Sequence, residues 1–213
     1  MYKKYINGFL HLPHITKNRL KQIVDLYDGD YEKAWHSKQW ISLFSPPLQH
    51  KVKSFLQTFK IEESYSNLHN NNIELKLCND ENLSPLLSEI SDPPIGVYVK
   101  GTLPQRSIYL SIVGTRKMDT YGKEIINLLL SGINSQNICI ISGMAYGVDE
   151  YVHYACLQNS IPTIAIIGSG LGYITPRGLV PLANEICAKG GAIISEYPFE
   201  VKPTKYHYPE RNR

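Results

Sequence analysis

The sequence predicts an α/β protein, with a Rossmann-like (extended) parallel-sheet domain preceded by a small all-helical domain. Three observations predict it. Apolar residues recur at helical spacing through the first 65 residues. After residue 106, four Val/Ile-rich runs alternate with amphipathic segments, and the first three of those runs end in glycine. Unbroken apolar strands alternating with helices read as a parallel sheet covered on both faces. The expected domains are residues 1–65 and 66–213.

The helical part is read from "NRLKQIVDLYDG", where Leu20, Ile23, Val24 and Tyr27 share a face and Gly29 is a natural stop. "YEKAWHSKQW" and "PPLQHKVKSFLQTF" follow as short helices, the latter opening at Pro46-Pro47. Asn70-Asn71-Asn72 then punctuates the chain. "IELKLC" alternates like a strand, Asp92-Pro93-Pro94 is a turn, and "IGVYVKG" is a strand ended by Gly101. The remaining strands are "IYLSIVG", "ICIISG", "TIAIIG" and "GAIISEYP". Between them lie the helical patterns "TYGKEIINLLLSGI", "GVDEYVHYACLQNS" and "LVPLANEICAKG", the middle one with Val148, Val152 and Ala155 on one face.

Bulk properties exclude several classes. Apolar content of 43% with 19% charge is ordinary for a packed globular chain. The net charge of +3 is divided as +1 over residues 1–105 and +2 over residues 106–213, with no long basic run. Any basic surface must therefore be assembled by the fold. Cys78, Cys139, Cys156 and Cys187 lie far apart without a C-x-x-C pair, which argues for free thiols and against zinc or disulfides. His11, Pro13 and His14 interrupt the apolar stretch after Lys3-Lys4, and no run reaches membrane-spanning length. A soluble cytoplasmic protein is expected.

In an open parallel sheet, ligands bind beyond the carboxyl ends of the strands. Here those ends carry Gly114-Thr115-Arg116, Ser142-Gly143 and Gly168-Ser169-Gly170. Glycine lets a ligand approach the backbone, the following helices aim free N–H groups at an anion, and Arg116 offers a two-pronged grip on phosphate. "GTRKMDTYG" lacks the G-x-G-x-x-G fingerprint and the Walker pattern is missing, so neither a standard dinucleotide nor an ATP site is expected, and no cofactor. "IISGMAYGVD" is not a nucleophile elbow. Asp149 and His153 read as a loop-ordering carboxylate and a packed histidine one turn on, and Glu196 as a loop-ordering acceptor. No metal site and no catalytic residue are expected. The closing "TKYHYPERNR" interleaves Lys205, Arg211 and Arg213 with Tyr206, His207 and Tyr208, a mixture suited to a single nucleic-acid strand.

Taken in order, "DPPIGVYVKG", "IVGTRKMDTYG", "IISGMAYGVDEYVHYACL", "TIAIIGSGL", "GAIISEYP" and "KYHYPERNR" resemble the DNA-processing protein A family (DprA, also called Smf). The resemblance implies a SAM-like helical domain and a protein that is not an enzyme. It implies binding and protection of single-stranded DNA in natural transformation, loading of the RecA recombinase, and a homodimer. It places DNA phosphate at Gly114, Thr115, Arg116, Ser142, Gly143, Gly168, Ser169 and Gly170, with Lys205, Tyr208, Arg211 and Arg213 at the same mouth. Tyr208 stands where the family more often has phenylalanine.

Two departures stand out. Gly172 replaces the family's aspartate, Thr175-Pro176 stands for Tyr-Pro, and Arg177-Gly178-Leu179 lacks the asparagine. The family also continues past Arg-Asn-Arg with a helix and strands that this sequence does not contain, which implies weaker DNA binding and dimerisation. Two competing readings remain: an enzyme on a free nucleotide of the phosphoribohydrolase type, whose P-G-G-x-G-T pattern is absent, and a protein-interaction module docking through the helical domain.

Overall fold

The computed structural model describes residues 2–78, 80, 83, 86–133 and 137–212. The chain divides into two compact units, residues 1–71 and 72–213. Arg213 lies outside the described residues.

The first unit is helical: α1 (Lys3–Leu10), α2 (Lys17–Asp25), α3 (Tyr31–Ser37), a 3₁₀ segment (Gln39–Leu43), α4 (Pro46–Thr58) and α5 (Ile61–Asn70). Its starts are written in the sequence. Thr16 accepts from Arg19 N and Asp30 from Glu32 N and Lys33 N, while prolines occupy the first turn of α4. The core is aromatic: Phe9 meets Trp35 and Trp40 edge-on, and Trp40 Nε1 donates to Ala34 O at 2.6 Å. Because α5 runs to Asn70, the helical unit extends past residue 65.

Among the described residues, the second unit is built on six strands: β1 (Ile73–Leu77), then, after the short α6 (Leu86–Glu89), β2 (Gly96–Gly101) and β3 (Ile108–Ser111). There follow α7 (Thr120–Ser131), β4 (Ile138–Ser142), α8 (Val148–Gln158), β5 (Thr163–Ile167), α9 (Val180–Ala188), β6 (Ala192–Ser195) and α10 (His207–Arg211). The sheet order is β1-β2-β6-β5-β4-β3. The four strands β3 to β6 are mutually parallel, β2 pairs antiparallel with β6, and β1 pairs antiparallel with β2 and so runs in the direction of the parallel set. The α/β, Rossmann-like reading therefore holds, with a mixed rather than wholly parallel sheet.

Strand order also settles where the helices lie. Each step from β3 to β6 moves to the next position in the same direction, and right-handed crossovers then stack α7, α8 and α9 on one face. That face buries Ile140, Val152, Ala155 and Cys156 beside Ile126 and Leu130 of α7. The opposite face is covered as well, more thinly, by the short α6 and loop residues rather than by a crossover helix. Among the described residues, the opposite face is covered by Leu83, Leu87 and Leu103, leaving an apolar groove of about 230 Å³ floored by Tyr109, Ile141, Ile164, Ile166 and Ile194.

None of the four cysteines is in a disulfide, and burial pushes the Cys139 and Cys156 thiols up to about 12, which keeps them protonated and unreactive. No described helix is long and apolar enough to cross a membrane.

Candidate nucleic-acid interface

Three loops and the C-terminal helix meet at the carboxyl ends of β3, β4 and β5. The first two loops are interlocked by close backbone approach. Val148 N donates to Thr115 O at 3.1 Å, and a Cβ on Gly114 would lie 2.8 Å from Val148 Cγ2. Gly147, at φ +87°, leaves no room for a side chain against the carbonyl of Thr115 and the backbone of Arg116. Thr115 Oγ1 accepts from Lys117 N at 3.1 Å, tightening the same turn. The backbone of Arg116 is thus held in place while its exposed side chain lines a cavity.

The second loop turns sharply. Met144 sits in the left-handed region at φ 57° with its side chain fully buried, and Asp149 accepts from Ala145 N at 3.3 Å. Between that anchor and Gly147, Tyr146 is thrown outward, 48% exposed. The third loop is pinned from both sides: Gly170 N donates to Val201 O at 2.8 Å, and Ser195 Oγ to Ser169 O at 2.6 Å.

The fourth wall is α10. His207 stacks on Tyr197 with ring centroids 4.0 Å apart, and Tyr197 Oη donates to Glu210 at 2.6 Å. His207 Nδ1 lies 3.2 Å from Gly168 O. This clamp brings Tyr208 against Gly168, where a Cβ would lie 3.2 Å from the ring. It also carries Arg211 inward, where Nη1 donates to Ile166 O at 2.9 Å and leaves no room for a side chain on Gly143.

The result is a cavity of about 130 Å³ whose walls include Arg116, Gly143, Gly168, Tyr146, Tyr208 and Arg211. Burial pushes the Arg211 guanidinium down from its usual range, the Asp149 charge opposes that, and the Arg116 charge adds to it. Among the described residues, Arg211 Nε is buried with no hydrogen-bond partner. Two cations thus face one concavity, offset by the Asp149 carboxylate.

The structure sorts the sequence-derived residues. Arg116, Gly143, Gly168, Ser169, Tyr208 and Arg211 come together around the cavity. The Ser142 hydroxyl is buried and donates to Ile112 O at 2.7 Å, and the Ser169 hydroxyl donates to Tyr173 O at 2.8 Å, so both hydroxyls are used within the fold. Gly170 packs under the carbonyls of Pro198 and Phe199 and, like Gly114 and Thr115, supports the loops from behind. Lys205 is exposed, with its ammonium 5.1 Å from the Tyr206 ring centre. The cavity residues that sequence reasoning missed are Met144, Ala145, Tyr146, Ile167, Thr175 and Pro176. Of these, Tyr146 had a legible signal: an aromatic between a strand end and a helix start.

A family model described as DNA recombination-mediator protein A matches residues 74–213. The chain belongs to that family. Among curated members, the chain is 34% identical to DNA processing protein DprA of Bacillus subtilis, covering 85% of this chain and 65% of the relative. It is 36% identical to protein Smf of Escherichia coli, covering 92% and 55%. The chain therefore spans between about half and two thirds of the length of these relatives. The crystal structure of DprA from Streptococcus pneumoniae superposes with a TM-score of 0.69 at 22% identity, covering 99% of this chain and 72% of that one, a likeness of fold. DNA processing protein A of Helicobacter pylori, whose single-stranded DNA binding mode has been described structurally, superposes with a TM-score of 0.55 at 26% identity, covering 66% and 62%. The family match takes in the sheet, all the glycine-ended loops and α10, and so the whole of the cavity.

Proposed function

We propose that the second unit binds single-stranded DNA through this cavity. The observation that carries the reading is the convergence of Arg116 and Arg211 on one concavity walled by tyrosines at the carboxyl ends of β4 and β5. Two neighbouring guanidinium groups repel each other unless an anion lies between them, and a phosphate relieves that repulsion by charge-assisted hydrogen bonds. Size separates a strand from an enclosed cofactor. Sites that enclose a small molecule usually measure about 300–1,000 Å³, whereas this cavity measures about 130 Å³. It suits one phosphate presented by a larger ligand. Aromatic faces beside the cations supply stacking that every base can use, which favours a strand read with little sequence preference.

Gly114, Thr115, Ser142 and Gly170 act in this reading as the frame that holds the loops, and Lys205 as added charge. The finer role continues the same proposal: protection of incoming strands and their delivery to a RecA-type recombinase in natural transformation, in the cytoplasm, by a homodimer. Its support is family membership.

The test is fluorescence anisotropy of a labelled oligo-dT of about 20 nucleotides, long enough to exceed a typical site. The expected result is saturable binding that weakens as salt rises, resists competition by mononucleotides, and falls at least ten-fold in Arg116→Ala. Binding unchanged in Arg116→Ala would assign the strand to another surface. Full competition by a mononucleotide would turn the reading towards a small-molecule site.

A further inference from the structure

Tyr146 stands within a motif that carries the family resemblance, yet the resemblance gives it no role, and its placement is specific. The turn that carries it is costly to build. Met144, a bulky residue, adopts φ 57° with its side chain wholly buried, and Gly147 follows at φ +87°. Strained backbone of this kind persists only where the surroundings hold it, and it concentrates at ligand clamps. Its effect here is to bury Met144 and expose the aromatic two residues later, on the cavity wall shared with Arg116, Tyr208 and Arg211. The Tyr146 hydroxyl reaches to within 2.8 Å of where a Cβ on Gly178 would stand, so the ring spans from the cavity to the loop carrying the exposed Arg177. A bulkier residue at 178 would meet the ring, and glycine leaves the way open. This is also the loop in which the sequence departs from the family pattern.

We propose that Tyr146 is a second base-stacking face, beside Tyr208, and that the strand leaves the cavity across it with its next phosphate toward Arg177. The proposal rests on the single-strand reading above and adds a direction and a second nucleotide to it. Tyrosine is suited to this: a rigid, amphipathic ring with few rotatable bonds to immobilise, and a π face that accepts any base. The exposed Arg177 serves as a point of phosphate contact without a requirement for sequence.

The experiment uses the whole chain and two labelled ligands, oligo-dT and an abasic oligomer of equal length that keeps the phosphates. Tyr146→Ala is expected to weaken oligo-dT binding about ten-fold or more while leaving the abasic ligand within two-fold and the salt dependence unchanged. Tyr146→Phe is expected to bind like the parent. Arg177→Ala is expected to lower the salt slope by about 0.7, the value for one phosphate on a single strand. Tyr154→Ala, a 39%-exposed tyrosine on α8 away from the cavity wall, is the control and is expected to change nothing. Circular dichroism matching the parent excludes misfolding of the loop variant, and the Phe variant carries the test if the Ala variant misfolds, since loss of binding in Phe would assign the effect to the hydroxyl. Tyr146→Ala behaving like Tyr154→Ala overturns the proposal while leaving the Arg116 reading intact. Failure of the parent chain to bind oligo-dT at low salt overturns both.

Discussion

Arg211 Nη1 donates to the carbonyl oxygen of Ile166 across 2.9 Å, and this bond seats the cation of the last helix at the carboxyl end of β5. The guanidinium fills the space beside Gly143 in which a side chain would otherwise stand, next to the Asp149 carboxylate. Asp149 in turn accepts from Ala145 N at 3.3 Å. A residue 68 positions distant in sequence therefore closes the loop after β4, and the glycine there is required by the protein's own arginine. The cavity is an assembled object: remove Arg211 and the loop loses its cover, fill Gly143 and Arg211 loses its seat.

The direct consequence concerns Gly143→Ala. The added methyl group would meet Arg211 Nη1 and come within 2.7 Å of Asp149 Oδ2, so one of the two must move. Inserting a methyl group into a packed site of this kind costs about 1–3 kcal/mol. The expected outcome is a lower urea midpoint by circular dichroism together with at least a ten-fold loss of oligo-dT affinity. A variant as stable as the parent would show that the guanidinium is not held where Ile166 places it.

Arg211 itself separates charge from shape. Arg211→Lys keeps the positive charge but loses the planar fork that bonds Ile166 O while facing the cavity, and lysine is not an equivalent at such sites. Both Arg211→Lys and Arg211→Ala are expected to weaken oligo-dT binding, the alanine variant more. Only the alanine variant should reduce the salt slope, by about 0.7 for one lost phosphate contact. Equal salt slopes for the two variants would remove Arg211 from the phosphate contacts and leave it a structural role.

Much of this was legible in the sequence because it is local. Periodicity placed the strands from Ile108 onward and the helices between them, and Thr16, Asp30 and Pro46 mark helix starts as their chemistry dictates. What was not legible is set by partners far along the chain. The Ser142 hydroxyl reads as a ligand donor until Ile112, 30 residues earlier, is seen to accept from it. The one-sided stacking of α7, α8 and α9 follows from strand order, which no local pattern encodes. Tyr146 is different: an aromatic between a strand end and a helix start is a local signal, and the buried Met144 two residues earlier shows how the turn exposes it.

The helical unit offers an independent check of its own packing. A Cβ on Gly8 would lie 2.8 Å from the Trp35 ring and 2.9 Å from Ile61 Cδ1, so Gly8→Ala overfills the contact between α1, α3 and α5. A cost of about 1–3 kcal/mol is expected. Trp35 and Trp40 are the chain's two tryptophans and both lie in this unit, so fluorescence reports on it selectively. The fluorescence transition in urea should move to lower concentration, and oligo-dT affinity should stay with the parent. A shift in DNA affinity instead would implicate the helical unit in binding.

His153 supplies the pH dependence. It is fully buried, and its Nδ1 lies 2.8 Å from Thr163 Oγ1. The Thr163 hydroxyl already donates to Ile140 O at 3.0 Å, so its oxygen accepts from the ring and fixes the Nδ1–H tautomer. Nε2 is then a buried lone pair with no partner, and a proton there would create a charge in an apolar core. Burial accordingly lowers the His153 pKa from 6.5 to about 3. The unfolded chain takes up a proton below about pH 6.5 while the folded chain resists until about pH 3. Stability contributed by the neutral ring is therefore complete above pH 6.5 and declines as pH falls through that window, by at most about 1.4 kcal/mol per pH unit. Between pH 7 and pH 5 the loss should be about 2 kcal/mol. Urea denaturation followed by circular dichroism at those two values checks it, with tryptophan fluorescence reporting the helical unit alongside. A His153→Gln variant, which cannot titrate, should lose stability at pH 7 yet show a smaller difference between pH 7 and pH 5 than the parent. If the parent is as stable at pH 5 as at pH 7, His153 has an acceptor for its second proton and the tautomer assigned here is wrong.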